Sequence, residues 1–186
     1  SHPLTWPLAL RPTAMYVLHQ DGVVVAVTPI PNPLVIWGGV AALLLLAWVL
    51  LRATRIAVRR GSLDPLRGGA IWASAFVLTG YLSGWLPWVL LFSRSAVFQF
   101  YAVVLTPFAA LALAMVLAGL ASPSRMGDLL LRAGLRLDDS PQALLGRRMA
   151  VAIVLFAALA LALVFWPVWS GMPIGEWFWR LHLWLP

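Results

Sequence analysis

Four long runs of this 186-residue chain, residues 34–51, 70–91, 98–121 and 149–169, carry no charged side chain. A bilayer's hydrocarbon core is about 30 Å thick and takes roughly 20 apolar residues at about 1.5 Å each. Each run is therefore able to cross. Backbone groups in lipid must be bonded within the segment or within a closed barrel, and nothing here alternates over successive segments as barrel strands do. The runs predict an all-α integral membrane fold with four transmembrane helices and short irregular outward-facing segments. Composition agrees, with 62% hydrophobic and 10% charged residues, where soluble domains average about half and about a quarter.

The arginines set a direction. All 13 basic residues are arginine, against 6 acids. Arg52, Arg55, Arg59, Arg60 and Arg67 fall between the first two runs, and Arg125, Arg132, Arg136, Arg147 and Arg148 between the last two. Only Arg11, Arg94 and Arg180 lie on the other side. Basic residues in short loops stay cytoplasmic. A multi-pass protein of the cell membrane follows, with segment 1–33, loop 92–97 and tail 170–186 extracytoplasmic, and loops 52–69 and 122–148 cytoplasmic. The excess predicts weak attraction to anionic membrane lipids and no nucleic-acid partner, since no soluble module is available to bind one. Cysteine is absent, which excludes disulfides, thiolate metal sites and cysteine catalysis. The start at Ser1-His2-Pro3, without a leader pattern, leads us to expect part of a longer protein.

Nine of the eleven tryptophans, all but Trp48 and Trp72, sit at or beyond the outward boundary. A symmetric interfacial belt would populate both faces, so the imbalance predicts a folded outer surface. Segment 1–33 holds Pro3, Pro7, Pro12, Pro29, Pro31 and Pro33. It predicts a rigid strap with one short strand or hairpin arm around Val23–Val27. The tail predicts a short amphipathic piece on the membrane surface. Residues 128–137 predict an interfacial helix, followed by a turn at 138–141. Gly80 and Gly84, four apart, predict close helix packing.

Catalytic equipment is sparse. His2, His19 and His182 lack metal-ligand spacing, so no metal site is predicted. No phosphate-binding glycine loop or nucleophile elbow is present. The outward acids are only Asp21 and Glu176; they read as solvated or paired with Arg11 or Arg180, and no residue of this chain is assigned a catalytic role. Arg94 is the feature that suggests a ligand. A guanidinium at the outer interface, framed by aromatics and a helix start, suits the phosphate of a lipid headgroup. Tyr101, seven residues on, falls on roughly the same helix face. The alternative is that Arg94 snorkels or bonds a carbonyl while Tyr101 belongs to the belt. His2, Trp6 and Arg11 are candidate sugar, phosphate or peptide contacts, or else parts of a kinked structural anchor.

Taken together, SHPLTWPLALRP, NPLVIWGG, the GYLSGWLPW–SR–FQFYAVVLTPF block and the terminal WRLHLWLP resemble the C-terminal four-helix region of bacterial, actinobacterial-type protein O-mannosyltransferases. The resemblance covers nearly the whole chain, although Gln99 interrupts the aromatic run and segment 122–148 is long. It implies part of a larger GT-C-type glycosyltransferase that transfers mannose, with inversion, from polyprenyl-phosphate mannose to Ser or Thr of exported proteins, with no cofactor. The partners it implies are the N-terminal region of the same enzyme, polyprenyl-phosphate mannose, exported acceptor polypeptides and membrane lipids. The family's catalytic Asp-Glu pair would lie in that N-terminal region. Its donor-phosphate arginine would fall on Arg94 and its tyrosine on Tyr101. Two other readings stay open: a polyprenyl-linked sugar transferase with a lipid or glycan acceptor, and a non-catalytic lipid-binding membrane subunit. A secondary transporter is disfavoured, because no ionisable residue lies at mid-membrane.

Overall fold

The computed structural model describes residues 2–10, 14–90 and 99–182. Helix α1, Pro33–Arg60, starts where Asn32 Oδ1 accepts from the amides of Leu34 and Val35 at 3.1 and 3.3 Å, an N-cap followed by Pro at the first helical position. It runs past the apolar stretch through Arg52, Arg55, Arg59 and Arg60 before Gly61 stops it at φ +60°. The first arginine-rich segment is thus largely helix, not loop. Hydropathy marks where lipid ends, whereas arginine is a good helix former and favours the negative C-terminal end of the helix dipole.

Helix α2 spans Gly69–Leu90. The third run differs from a single α-helix: Gln99–Leu105 form a 3-10 helix and α3 spans Thr106–Ala121. Pro107 is the reason. It has no N–H for an i−4 carbonyl and fits best in a helix's first turn, where α3 places it. Helix α4, Pro123–Ala133, begins and ends before the expected 128–137. Helix α5, Pro141–Ser170, starts well before the apolar run at 149, where Ser140 Oγ caps the amide of Ala143. Among the described residues, four helical stretches, α1, α2, 101–121 and α5, are long and apolar enough to span a membrane.

The centre of the bundle is the α1–α3 contact. A Cβ placed on Gly39 would stand 2.7 Å from the Ala109 carbonyl oxygen and 2.8 Å from its Cβ, so these backbones touch. Leu46, Val49, Ala109, Ala112, Val77 and Leu129 fill the core around them. Gly80 lies against the Phe108 ring, the packing role expected of it. Helix α5 packs through Leu161, Phe165 and Val168 in a separate cluster with Ile30, Ile174, Phe178 and Trp179, leaving Ile153, Phe156, Leu159 and Leu163 exposed.

Both end segments meet at one end of this bundle. Strands β1 (Tyr16–Gln20) and β2 (Val23–Val27) form an antiparallel hairpin. Its turn, Asp21-Gly22, has φ of 48° and 79°, the paired positive values that favour Asp-Gly in tight hairpins. The tail adds β3 (Pro173–Gly175), antiparallel to β2, giving the order β1-β2-β3, and then α6 (Glu176–Leu181). The Thr28 amide donates to Val168 O (3.1 Å), Trp169 Nε1 to Ile30 O (2.6 Å) and Asn32 Nδ2 to Ala158 O (2.7 Å). Glu176 pairs with Arg180 at 2.6 Å.

The opposite end gathers the arginines. Arg132 binds Asp128 and Pro65 O at 2.6 and 2.9 Å, and Arg147 binds Leu120 O at 3.1 Å together with Asp138 O and Asp139. Arg148 donates to Ala121 O at 3.1 Å. These side chains satisfy carbonyls at helix ends and in turns, which ties the short connections to the bundle.

Candidate functional site

The N-terminal strap is a 3-10 helix, Pro3–Leu8. His2 opens it: its Nδ1 accepts from the Leu4 amide at 3.3 Å while its carbonyl accepts from Thr5 Oγ1 at 2.7 Å. Two indoles fasten the strap to different helices. Trp85 Nε1 of α2 donates to Pro3 O at 2.9 Å, and Trp37 Nε1 of α1 donates to Leu8 O at 3.0 Å. Indole suits this task because its broad apolar ring packs while its single N–H seeks an acceptor.

Under the strap lies an aromatic ladder. Trp6 is 2% exposed, and its ring centroid is 5.6 Å from that of Trp88. Trp88 in turn stacks on Tyr101, with centroids 4.6 Å apart and planes within 16°. Two of the sequence-predicted residues, Trp6 and Tyr101, are thereby joined through Trp88, one of the outward tryptophans of the GWLPW run. His2 sits at the strap's start, exposed. Arg94 and Arg11 lie outside the described residues.

Beside the ladder, an apolar groove of about 470 Å³ opens between the strap, the 29–31 linker, the start of α1 and the 3-10 segment leading into α3. Trp6, Ala9, Met15, Ile30 and Ile36 line one side, and Ala102, Val103, Leu105 and Thr106 the other. Among the described residues of this lining, Thr106 carries the only aliphatic hydroxyl. The described residues of the lining include no acid, base or metal ligand, and such a surface suits an apolar chain. The described residues flanking segment 91–98, where Arg94 falls, lead from Trp88 on one side to Tyr101 on the other. Met15, Ile36 and Val103 escaped sequence reasoning because they come from three separate segments. The one available signal was the VVLTPF run, where a proline inside an apolar stretch marks a change of helix type.

A family model described as the C-terminal four TMM region of protein-O-mannosyltransferase matches residues 1–186. The chain belongs to this family. Relatives named polyprenol-phosphate-mannose–protein mannosyltransferase include one from Mycobacterium tuberculosis (strain CDC 1551 / Oshkosh), 32% identical over 196 residues, covering 100% of this chain and 31% of the relative. Another, from Mycolicibacterium smegmatis (strain ATCC 700084 / mc(2)155), is 31% identical over 195 residues, covering 100% of this chain and 32% of the relative. The chain thus spans about a third of the length of these mannosyltransferases. No solved structure matches significantly.

Proposed function

We propose that this chain forms the donor-lipid half of an inverting mannosyltransferase that moves mannose from polyprenyl-phosphate mannose to Ser or Thr hydroxyls of exported proteins. The observation that carries this reading is the apolar groove bordered by the Trp6–Trp88–Tyr101 ladder, in a chain matched end to end by the family. In this account the groove receives the first isoprenoid units. Arg94 binds the phosphate, and the Tyr101 hydroxyl hydrogen-bonds the phosphate or the sugar. Trp6 belongs to the groove wall, and His2 and Arg11 contact sugar or acceptor.

The chemistry follows from the leaving group. As the glycosidic bond breaks, negative charge builds on the polyprenyl phosphate. A fixed guanidinium stabilises that charge more in the transition state than in the ground state. The acceptor hydroxyl needs a carboxylate base, which the upstream part of the longer protein supplies. In this reading the sheet end faces the extracytoplasmic side and the arginine end the cytoplasm, a direction supported by the tendency of basic loops to stay cytoplasmic.

Arg94→Ala in the full-length protein should lower mannosyl transfer by roughly 100-fold or more, the usual loss for a transition-state charge partner, with expression unchanged. Near-normal transfer would remove Arg94 from the site.

A further inference from the structure

At the end of the bundle opposite the groove, a second crevice of about 440 Å³ lies between α3, α4 and the 135–139 segment. Its floor includes Gly119, in the last turn of α3. Its walls are Leu131, Leu135 and Leu137, which are 55, 49 and 37% exposed. Three exposed leucines beside the end of a spanning helix sit where acyl chains give way to headgroups.

The charges around the crevice do not cancel. Asp128 is bonded to Arg132 at 2.6 Å and Asp139 to Arg147 at 3.2 Å, so both lining carboxylates are matched. Arg136 also lines the crevice, and among the described residues it has no hydrogen-bond or ion-pair partner. Leu131 borders a smaller crevice of about 120 Å³ as well, lined by Arg52 and Arg132.

We propose that the 119–139 crevice holds an anionic phospholipid, with Arg136 gripping the phosphate and Leu131, Leu135 and Leu137 packing the first acyl carbons. A guanidinium presents a planar pair of donors that fits phosphate oxygens. An anionic phospholipid carries the two features the crevice asks for, a phosphate and an apolar tail, in one molecule. A soluble acidic peptide would meet the charge but leave the leucines uncovered. The site is separate from the donor groove and stands whether or not that reading holds.

The test is native mass spectrometry of the full-length protein, loaded with phosphatidylglycerol or with phosphatidylcholine of identical acyl chains. Wild type should retain phosphatidylglycerol preferentially. Arg136→Gln should lower its apparent affinity about fivefold, the loss expected for one basic side chain at an anionic surface. Arg136→Lys should keep most of it, and Arg180→Gln, at the other end, should match wild type. Equal retention of the two lipids by wild type would overturn the proposal. So would unchanged phosphatidylglycerol binding in Arg136→Gln, or displacement of the lipid by inorganic phosphate alone.

Discussion

Adjacent glycines in α1 offer a controlled test of the packing that holds this region together. A methyl group on Gly39 meets the Ala109 carbonyl oxygen, Cβ and carbonyl carbon at 2.7, 2.8 and 2.9 Å. Two of these are backbone atoms and the third is fixed to the backbone, so nothing there can rotate away. A methyl group on Gly38 meets only Leu113 side-chain carbons, the nearest at 3.3 Å, and a leucine end can swing. Overpacking costs about 1–3 kcal/mol, and at Gly39 the upper half of that range applies. Replacing Gly by Ala in a helix interior returns up to about 1 kcal/mol. Gly39→Ala should therefore destabilise by about 1–2 kcal/mol net, whereas Gly38→Ala should be neutral or slightly stabilising. Thermal unfolding of the detergent-solubilised full-length protein, with both variants beside wild type, reads the difference. If Gly39→Ala melts level with or above Gly38→Ala, the α1–α3 contact is not what closes the core.

Other consequences can be checked alongside. Asn32 caps α1 and also donates to Ala158 O of α5, so Asn32→Ala should cost about 2 kcal/mol; Asn32→Asp, which keeps the cap and loses the donor, should melt between it and wild type. This chain has no cysteine. With any cysteines in the rest of the full-length protein replaced, Val17→Cys in exposed β1 should react with an impermeant maleimide on intact cells, and Arg59→Cys only after permeabilisation; the reverse pattern would invert the proposed topology. Asp138 is held below the ordinary aspartate range by hydrogen bonds from the Ser140 amide and hydroxyl, with help from Arg147. Its folded value lies under its unfolded one, so its contribution is present at neutral pH and fades as pH falls through the folded value. Hydrogen exchange over 135–145 should become faster relative to an Asp138→Asn control as pH drops below about 4, and identical profiles would refute this.

The spans were legible because an uncharged run of membrane length has few other fates. The lengths of α1 and α5 were not, since hydropathy reports the lipid boundary and the helices stop at Gly61 and start at Ser140. Those caps were in the sequence, at Arg60-Gly61 and Ser140-Pro141, but carried less weight than the arginines around them. The hairpin was half visible in the valine run Val23–Val27. Strand β3 was invisible: Pro173 and Gly175 are depleted in strands and leave Ile174 as a lone strand former, and their pairing with β2 is set by α5 returning the chain to the same end. The tryptophan excess pointed correctly to a folded surface, and Trp37, Trp85 and Trp169 spend their N–H groups on backbone carbonyls there. Of the candidate site, only Tyr101 and Trp6 were read from sequence and found together; the groove arises from tertiary packing that no local pattern encodes.

The central claim is that the polyprenyl donor sits in the groove between the strap, α1 and the start of α3. A polyprenyl phosphate carrying a diazirine near its head, photolysed with the full-length protein and mapped by peptide sequencing, tests it most directly. The account predicts adducts on Met15, Ile36, Val103 or Thr106, competed away by unmodified polyprenyl phosphate. Adducts confined to the outer face of α5, at Phe156 or Leu163, or to the arginine end, would contradict it.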